Sequence, residues 1–255
     1  MQTCLKNEAE IMAMREGGRV LGDLLYKLHD FIKPGVTGLE VDKFSETFIR
    51  DHGMKPGFKR YRGFPGTVCF CRNNEVVHGI PTAEQVIQDG DIVTVDCGVT
   101  YKGLNTDSAV TYLVGNVDPK IQQFVKVSQK ALYEGMRQIR PGNHIGDIGN
   151  AIEKKITQNG YYIIKDLVGH GIGKNLHEEP HVPNYGKKGS GMALKPGFTF
   201  AIEPIVGMKT GDIKTLKDGW MIVTADGNPS CQWEHTILIT ETGYEALTLR
   251  PDDKL

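Results

Sequence analysis

Apolar positions recur along Glu8–Phe31 at Ile11, Val20, Leu21, Leu24, Leu25, Leu28 and Phe31, close to the helical period, and predict a long first helix. Thr37 and Glu40 have the spacing of a capping box ahead of Val41, Phe44 and Phe48, so a second helix opens there and ends at Gly53. Asp118-Pro119 starts a third, whose body is Val125–Ile139, and a fourth runs from about Ile145 to Asn159. Between the helices the pattern shortens to alternating or continuously apolar runs: Thr67–Arg72, Asp91–Val99, Ser108–Val114, Phe198–Val206, Trp220–Ala225 and His235–Thr240, each read as a strand. Helix pairs alternating with antiparallel strands give an α+β class rather than a doubly wound parallel sheet.

The pattern repeats. Ile32-Lys33-Pro34-Gly35 returns as Ile139-Arg140-Pro141-Gly142, an offset of 107 positions. In the same register Leu25-Tyr26 maps to Leu132-Tyr133, Val41 to Ile148, Glu46 to Glu153, Gly53 to Gly160, Gly90 to Gly197 and Asp96 to Glu203. Each half reads as helix, Pro-Gly turn, helix, then strands that deliver a carboxylate. One register over that length implies a duplicated, pseudo-two-fold fold. The expectation is a single domain over 1–255 with internal halves of about 8–114 and 115–250.

Composition narrows the classes. A net charge of −1, with 30 basic and 31 acidic residues, argues against a dedicated binder of DNA or of a membrane surface. No run reaches the ~18 apolar residues of a membrane span, and Met1–Arg15 lacks a signal-peptide core, so a cytoplasmic protein is expected. Cys4, Cys69, Cys71, Cys97 and Cys231 are odd in number and form no C-x-x-C, which fits reduced thiols. The 31 glycines exceed the usual share of about 7% and point to many turns and close backbone approaches.

The chemistry starts from a hairpin, Asp91–Asp107. If its turn centres on Tyr101-Lys102, Asp96 lies directly opposite Asp107. On the hairpin alone the plainer reading, two solvated aspartates, holds. Glu203 shifts the balance, because it ends an apolar strand at the position equivalent to Asp96. An inward carboxylate in both halves is costly without a counter-charge. Glu234 begins a further strand, and His170 is flanked by Gly169 and Gly171, which allow a close backbone approach. Asp96, Asp107, Glu203 and Glu234 carry −4, which two divalent cations balance, and His170 adds a neutral ligand. Oxygen ligands with one imidazole suit Mn²⁺, Fe²⁺, Co²⁺ or Zn²⁺, and Mg²⁺ less well. Cys97 alternates to the core face.

These residues, with Asn74-Glu-Val-Val-His78-Gly-Ile-Pro, Gly169-His170-Gly-Ile-Gly, His177-Glu-Glu-Pro180, Glu203-Pro204 and Glu234-His235, closely resemble the type I methionine aminopeptidases from about Asn7 to Arg250. The resemblance implies the duplicated "pita-bread" fold, an antiparallel curved sheet covered by two pairs of helices. It implies two divalent metal ions and removal of the initiator methionine from nascent chains whose second residue is small. It assigns Asp96, Asp107, His170, Glu203 and Glu234 to the metals and Glu203 to proton shuttling. His177 would steady the tetrahedral intermediate, and His78 would contact the same reacting region. Phe58, Tyr61, Phe64, Cys69 and Trp220 match the methionine pocket, although from sequence alone plain core packing is the favoured reading of each. Phe58 stands where the family often has Cys, and Leu176 where it often has Phe. His29, His52, His144, His181 and His235 read as structural or solvated, with a role for His235 beside Glu234 left open.

Two alternative readings fit the motifs less well. Xaa-Pro peptidases on this fold usually carry a large N-terminal domain, for which 255 residues leave no room. A metal-free peptide-binding relative would have lost ligands, and all five are present. The 33 positions from His170 to Glu203 leave no space for the type II insertion. By the family's preference the large Gln2 implies that Met1 is retained. A monomer is expected. Transient ribosome contact through Lys187-Lys188 or Lys209–Lys217 is set against plain scattered surface lysines.

Overall fold

Each helix begins where a polar group satisfies its first amides; the sequence marked the caps of the second and third helices, and the structure adds those of the first and fourth. The coordinates, a computed structural model, describe residues 5–254; Met1, Gln2 and Cys4 lie outside the described residues. Helix α1 (Glu8–Phe31) is capped by Asn7, whose side chain accepts from Glu10 N–H while the Glu10 carboxylate accepts from Asn7 N–H. Helix α2 (Gly38–Asp51) opens with the Thr37–Glu40 pair, α3 (Pro119–Met136) with Asp118, and α4 (Ile145–Thr157) with the Asp147 carboxylate on His144 N–H. Such caps contribute about 1 kcal/mol each.

The strands are β1 (Lys55–Pro56), β2 (Val68–Arg72), β3 (Glu75–Val77), β4 (Ile92–Tyr101), β5 (Leu104–Leu113), β6 (Tyr162–Ile163), β7 (Gly169–Gly171), β8 (Glu178–Val182), β9 (Thr199–Ile202), β10 (Ile205–Gly207), β11 (Ile213–Thr215), β12 (Ile222–Thr224), β13 (Ser230–Gln232), β14 (His235–Ile239) and β15 (Tyr244–Ala246). All pairings are antiparallel. In the first half β4 pairs with β5 along one edge and with β2 and β1 along the other. In the second half the order is β15-β14-β9-β7-β8. The two sheets meet at β5 and β14, where Glu234 N–H donates to Ala109 O and Asp107 N–H donates to Thr236 Oγ1. Two smaller sheets, β13-β10-β6 and β11-β12-β3, flank this seam.

The run Phe198–Val206 is two strands, because Glu203-Pro204 interrupts it: proline has no amide for a ladder. The hairpin register also differs from expectation. Lys102 (φ 47°) and Gly103 (φ 79°) form the turn, so Asp96 pairs with Ala109 and Asp107 with Gly98. Two consecutive positive φ values match a two-residue hairpin turn, and no bulge is needed. The slip is two residues, so both aspartates keep the same face and become diagonal neighbours.

The duplication is visible in the backbone. Equivalent glycines share their left-handed angles: Gly35 and Gly142 at 91° and 89°, Gly53 and Gly160 at 72° and 75°, Gly90 and Gly197 at 91° and 86°. Leu21, Leu24, Leu28, Phe70, Phe124, Leu132 and Ile152 are fully buried between helices and sheets. Burial of each such side chain contributes about 1.5–3 kcal/mol. Gly18 and Gly22 are needed for a different reason. A Cβ there would lie 2.2 Å from Leu247 O and 2.5 Å from Leu249 O, so bare backbone lets α1 press onto the C-terminal segment. Among the described residues no helix is long and apolar enough to cross a membrane.

Candidate metal centre and substrate cleft

The seam between the sheets collects the acidic side chains. β4 carries Asp96, β5 Asp107, the break between β9 and β10 Glu203, and the residue before β14 Glu234. β7 brings His170 against them. Its Nε2 lies 3.6 Å from Glu203 Oε1 and 3.9 Å from Asp107 Oδ2. Ligand atoms of Asp107, His170 and Glu234 all fall within 4.8 Å of one another. Glu234 is 1% exposed and Asp107 3%, with His170 and Glu203 nearly as deep.

Burial raises all four carboxyls. Asp96 is pushed up to about 7. Asp107, Glu203 and Glu234 rise well above the usual carboxylate range, because their carboxylate neighbours add to the effect of burial. His170 moves the other way, to about 4, because burial disfavours the imidazolium. Its Nδ1–H donates to Gly171 O at 3.0 Å, which leaves Nε2 as a lone pair facing the carboxylates.

A divalent metal fits this set. Asp96 Oδ1, Asp107 Oδ1 and Glu234 Oε1 are buried without a hydrogen-bond partner. Unpartnered carboxylate oxygens converging on a neutral imidazole are stable only with a cation or extra protons between them. Hard oxygen donors with one nitrogen match the first-row divalent ions.

One cleft of about 520 Å³ is lined by these five residues and also by Phe58, Tyr61, Phe64, Cys69, His78, His177 and Trp220. The structure therefore brings together every site residue singled out from sequence. Cys69 pairs with Asp96 across β2 and β4, so both face the cleft. The Phe58 ring lies on Gly98, where a Cβ would sit 2.8 Å from Cε1. Phe64 and Trp220 meet edge to face, with centroids 5.2 Å apart. Leu176 joins Phe58, Phe64 and Cys69 in one buried apolar cluster. His177 stands at the mouth, its ring 4.2 Å from that of His170, and its Nδ1 is 2.9 Å from the Tyr61 hydroxyl. His78 has a left-handed backbone (φ 61°), an uncommon state for a non-glycine residue that tends to occur at functional sites.

Some expectations change. The glycines beside His170 do not make room for a ligand. A Cβ on Gly169 would be 2.3 Å from Ala201 O, and one on Gly171 2.2 Å from Glu179 O, so they admit the neighbouring strands. His235 touches none of the four carboxylates. Arg250 Nη2–H donates to its Nε2 at 2.9 Å, and its Nδ1 meets Thr248 Oγ1 at 3.0 Å. His181 pairs with His170 across β7 and β8 and lines the cleft, although the sequence marked it as structural or solvated. Gln232 was missed. Its Nε2 is 3.5 Å from a carboxylate oxygen of Asp96, Glu203 and Glu234 alike. The available signal was its position two residues before Glu234, which strand alternation puts on the same side.

Residues 12–241 match the model of metallopeptidase family M24. The chain belongs to that family. Among curated M24 relatives, methionine aminopeptidase of Clostridium perfringens is 42% identical over 96% of this chain and 98% of its own length. The crystal structure of methionine aminopeptidase from Thermotoga maritima superposes with a TM-score of 0.96 at 40% identity, covering 98% of this chain and all of that one. The prolidase of Pyrococcus horikoshii shares the fold (TM-score 0.79, 22% identity), covering 98% of this chain but 65% of the prolidase. The duplicated fold is thus common to M24 members of different length.

Proposed function

We propose that this M24 chain is a divalent-metal-dependent methionyl aminopeptidase that removes the initiator methionine from nascent chains whose second residue is small. The observation that carries the reading is the cleft itself: four buried carboxylates and a neutral histidine beside an apolar wall of Phe58, Phe64, Cys69, Leu176 and Trp220. An unbranched thioether fits such a wall.

Asp96, Asp107, His170, Glu203 and Glu234 would hold two divalent metal ions. When bound, these supply Lewis acidity and a nucleophilic water at neutral pH. Glu203 accepts the proton of the attacking water and returns it to the departing amine. His177 donates to the oxygen that gains charge as the tetrahedral intermediate forms, and His78 borders the same region. The apolar wall orients the methionine side chain and excludes water from it. The chain acts as a single catalytic domain and as a monomer in the cytoplasm. The exposed Lys187, Lys188, Lys209, Lys214 and Lys217 are the groups that a transient ribosome contact would use.

A release assay tests this. With Mn²⁺ or Co²⁺ the protein frees methionine from Met-Ala-Ser and releases little from Met-Lys peptides. Glu203→Gln folds normally and loses nearly all turnover. Peptide binding without release under every metal would replace the enzyme with a binding protein, and substantial activity in Glu203→Gln would remove the proton-shuttle role.

A further inference from the structure

Tyr61 sits on a turn with unusual backbone. It is flanked by Arg60 (φ 73°) and Arg62 (φ 47°), two non-glycine residues in the left-handed region. That conformation persists only where the surroundings enforce it. Here hydrogen bonds from Arg60 N–H to Phe64 O, Tyr61 N–H to Phe58 O and Phe64 N–H to Tyr61 O pin the turn. Arg62 places its guanidinium 5.3 Å from the centre of the Tyr61 ring. The outcome is one specific contact. The Tyr61 ring stacks on His177 (centroids 5.3 Å apart, planes 27° apart), and its hydroxyl lies 2.9 Å from His177 Nδ1.

Two arrangements of the proton satisfy that distance, and elementary chemistry separates them. A phenol is a stronger donor than a neutral imidazole N–H, and an imidazole lone pair is a better acceptor than a phenolic oxygen. The favoured bond therefore runs from the Tyr61 hydroxyl to Nδ1. Once Nδ1 accepts, the ring proton resides on Nε2, the other edge of the imidazole.

We propose that Tyr61 is a positioning residue: its hydroxyl fixes His177 as the Nε2–H tautomer, so that the free edge of the ring always donates to the peptide. This rests on the aminopeptidase reading for what His177 does, but not for the tautomer itself. The strained turn then has a physical purpose, because it holds the phenol where a relaxed loop would leave it in solvent. Tyr61 thus does more than pack against methionine, and a phenylalanine at this position would keep the wall while losing control of the proton.

Tyr61→Phe separates these two functions. In protein labelled with ¹⁵N in the histidine rings and loaded with Zn²⁺, wild-type His177 should show an acceptor Nδ1 and a protonated Nε2. In Tyr61→Phe the signals should shift toward a mixture of tautomers, with circular dichroism and zinc affinity unchanged. With Mn²⁺ and a Met-Ala-Ser peptide, kcat should fall about tenfold while KM stays within about twofold, the size expected for loss of an orienting partner. An unchanged tautomer, an Nδ1–H form in the wild type, or a loss confined to KM each overturns the proposal. Absence of methionine release from the wild type itself would instead refute the aminopeptidase reading and leave the ring spectra to decide the tautomer.

Discussion

Gly98, not Asp96, faces Asp107 across the β4–β5 hairpin, and the two aspartates meet on the diagonal of one sheet face. The offset matters because it spreads the carboxylates over a patch that Glu203 and Glu234 complete from the other sheet. All four carboxyls have pKa values above the ordinary value near 4, Asp96 at about 7. At these four positions the metal-free fold thus binds protons more tightly than the unfolded chain, and the stability they contribute is fully present below the unfolded value near 4 and is lost as pH rises through the raised values. In chelator, the melting temperature is expected to drop between pH 5 and 8. Mn²⁺ should restore it most at the alkaline end, releasing protons that calorimetry in buffers of different ionisation enthalpy will count. A melting curve that ignores both pH and metal would contradict the centre.

Among the described residues, Gln232 is the one side-chain amide that reaches three of these carboxylates. Gln232→Leu fills similar space without the donor. Metal affinity by titration calorimetry should weaken about tenfold, with the folded spectrum retained. Unaltered affinity would mean that the amide only fills space.

Phe58 and Leu176 share the apolar cluster along the methionine wall. Phe58→Cys should open a cavity, lower stability by about 3 kcal/mol and raise KM for methionyl peptides. Adding Leu176→Phe should recover part of both losses. Simple additivity in denaturation and kinetics would show that the two side chains do not share the space.

Asp253 closes the C-terminal segment onto the core. Burial alone would raise its pKa, but the Arg250 guanidinium, whose Nη2 lies 3.0 Å from Oδ1, outweighs it and holds the carboxyl below the usual range. A depressed carboxyl contributes stability above its unfolded value near 4, and the contribution is lost as pH falls below that. Asp253→Asn should cost about 3 kcal/mol at pH 7, because Arg250 is left buried beside a neutral partner. The difference from wild type in urea unfolding should shrink below pH 4, and an equal penalty at every pH would count against the ion pair.

The sequence by itself determined what is local or periodic. Glu8–Phe31 is a helix because its apolar spacing and caps demand it, and the offset of 107 positions announced two equivalent halves whose glycine angles agree within a few degrees. Asp96, Asp107 and Glu203 were legible because charge at the end of an apolar strand is expensive. Their pairing was not, because a hairpin register turns on whether Lys102 adopts a left-handed angle, and no periodicity reports that. Tertiary structure alone decided the remainder. Gly18 and Gly22 serve helix packing, and Gly169 and Gly171 serve the approach of strands: composition announced close backbone approaches, and the fold decided between which elements. The reach of Gln232 to Asp96 and the Tyr61–His177 bond join segments remote in sequence, 136 and 116 positions apart. Such contacts are set by where the two sheets meet, a property of the whole folded chain that no window of residues contains.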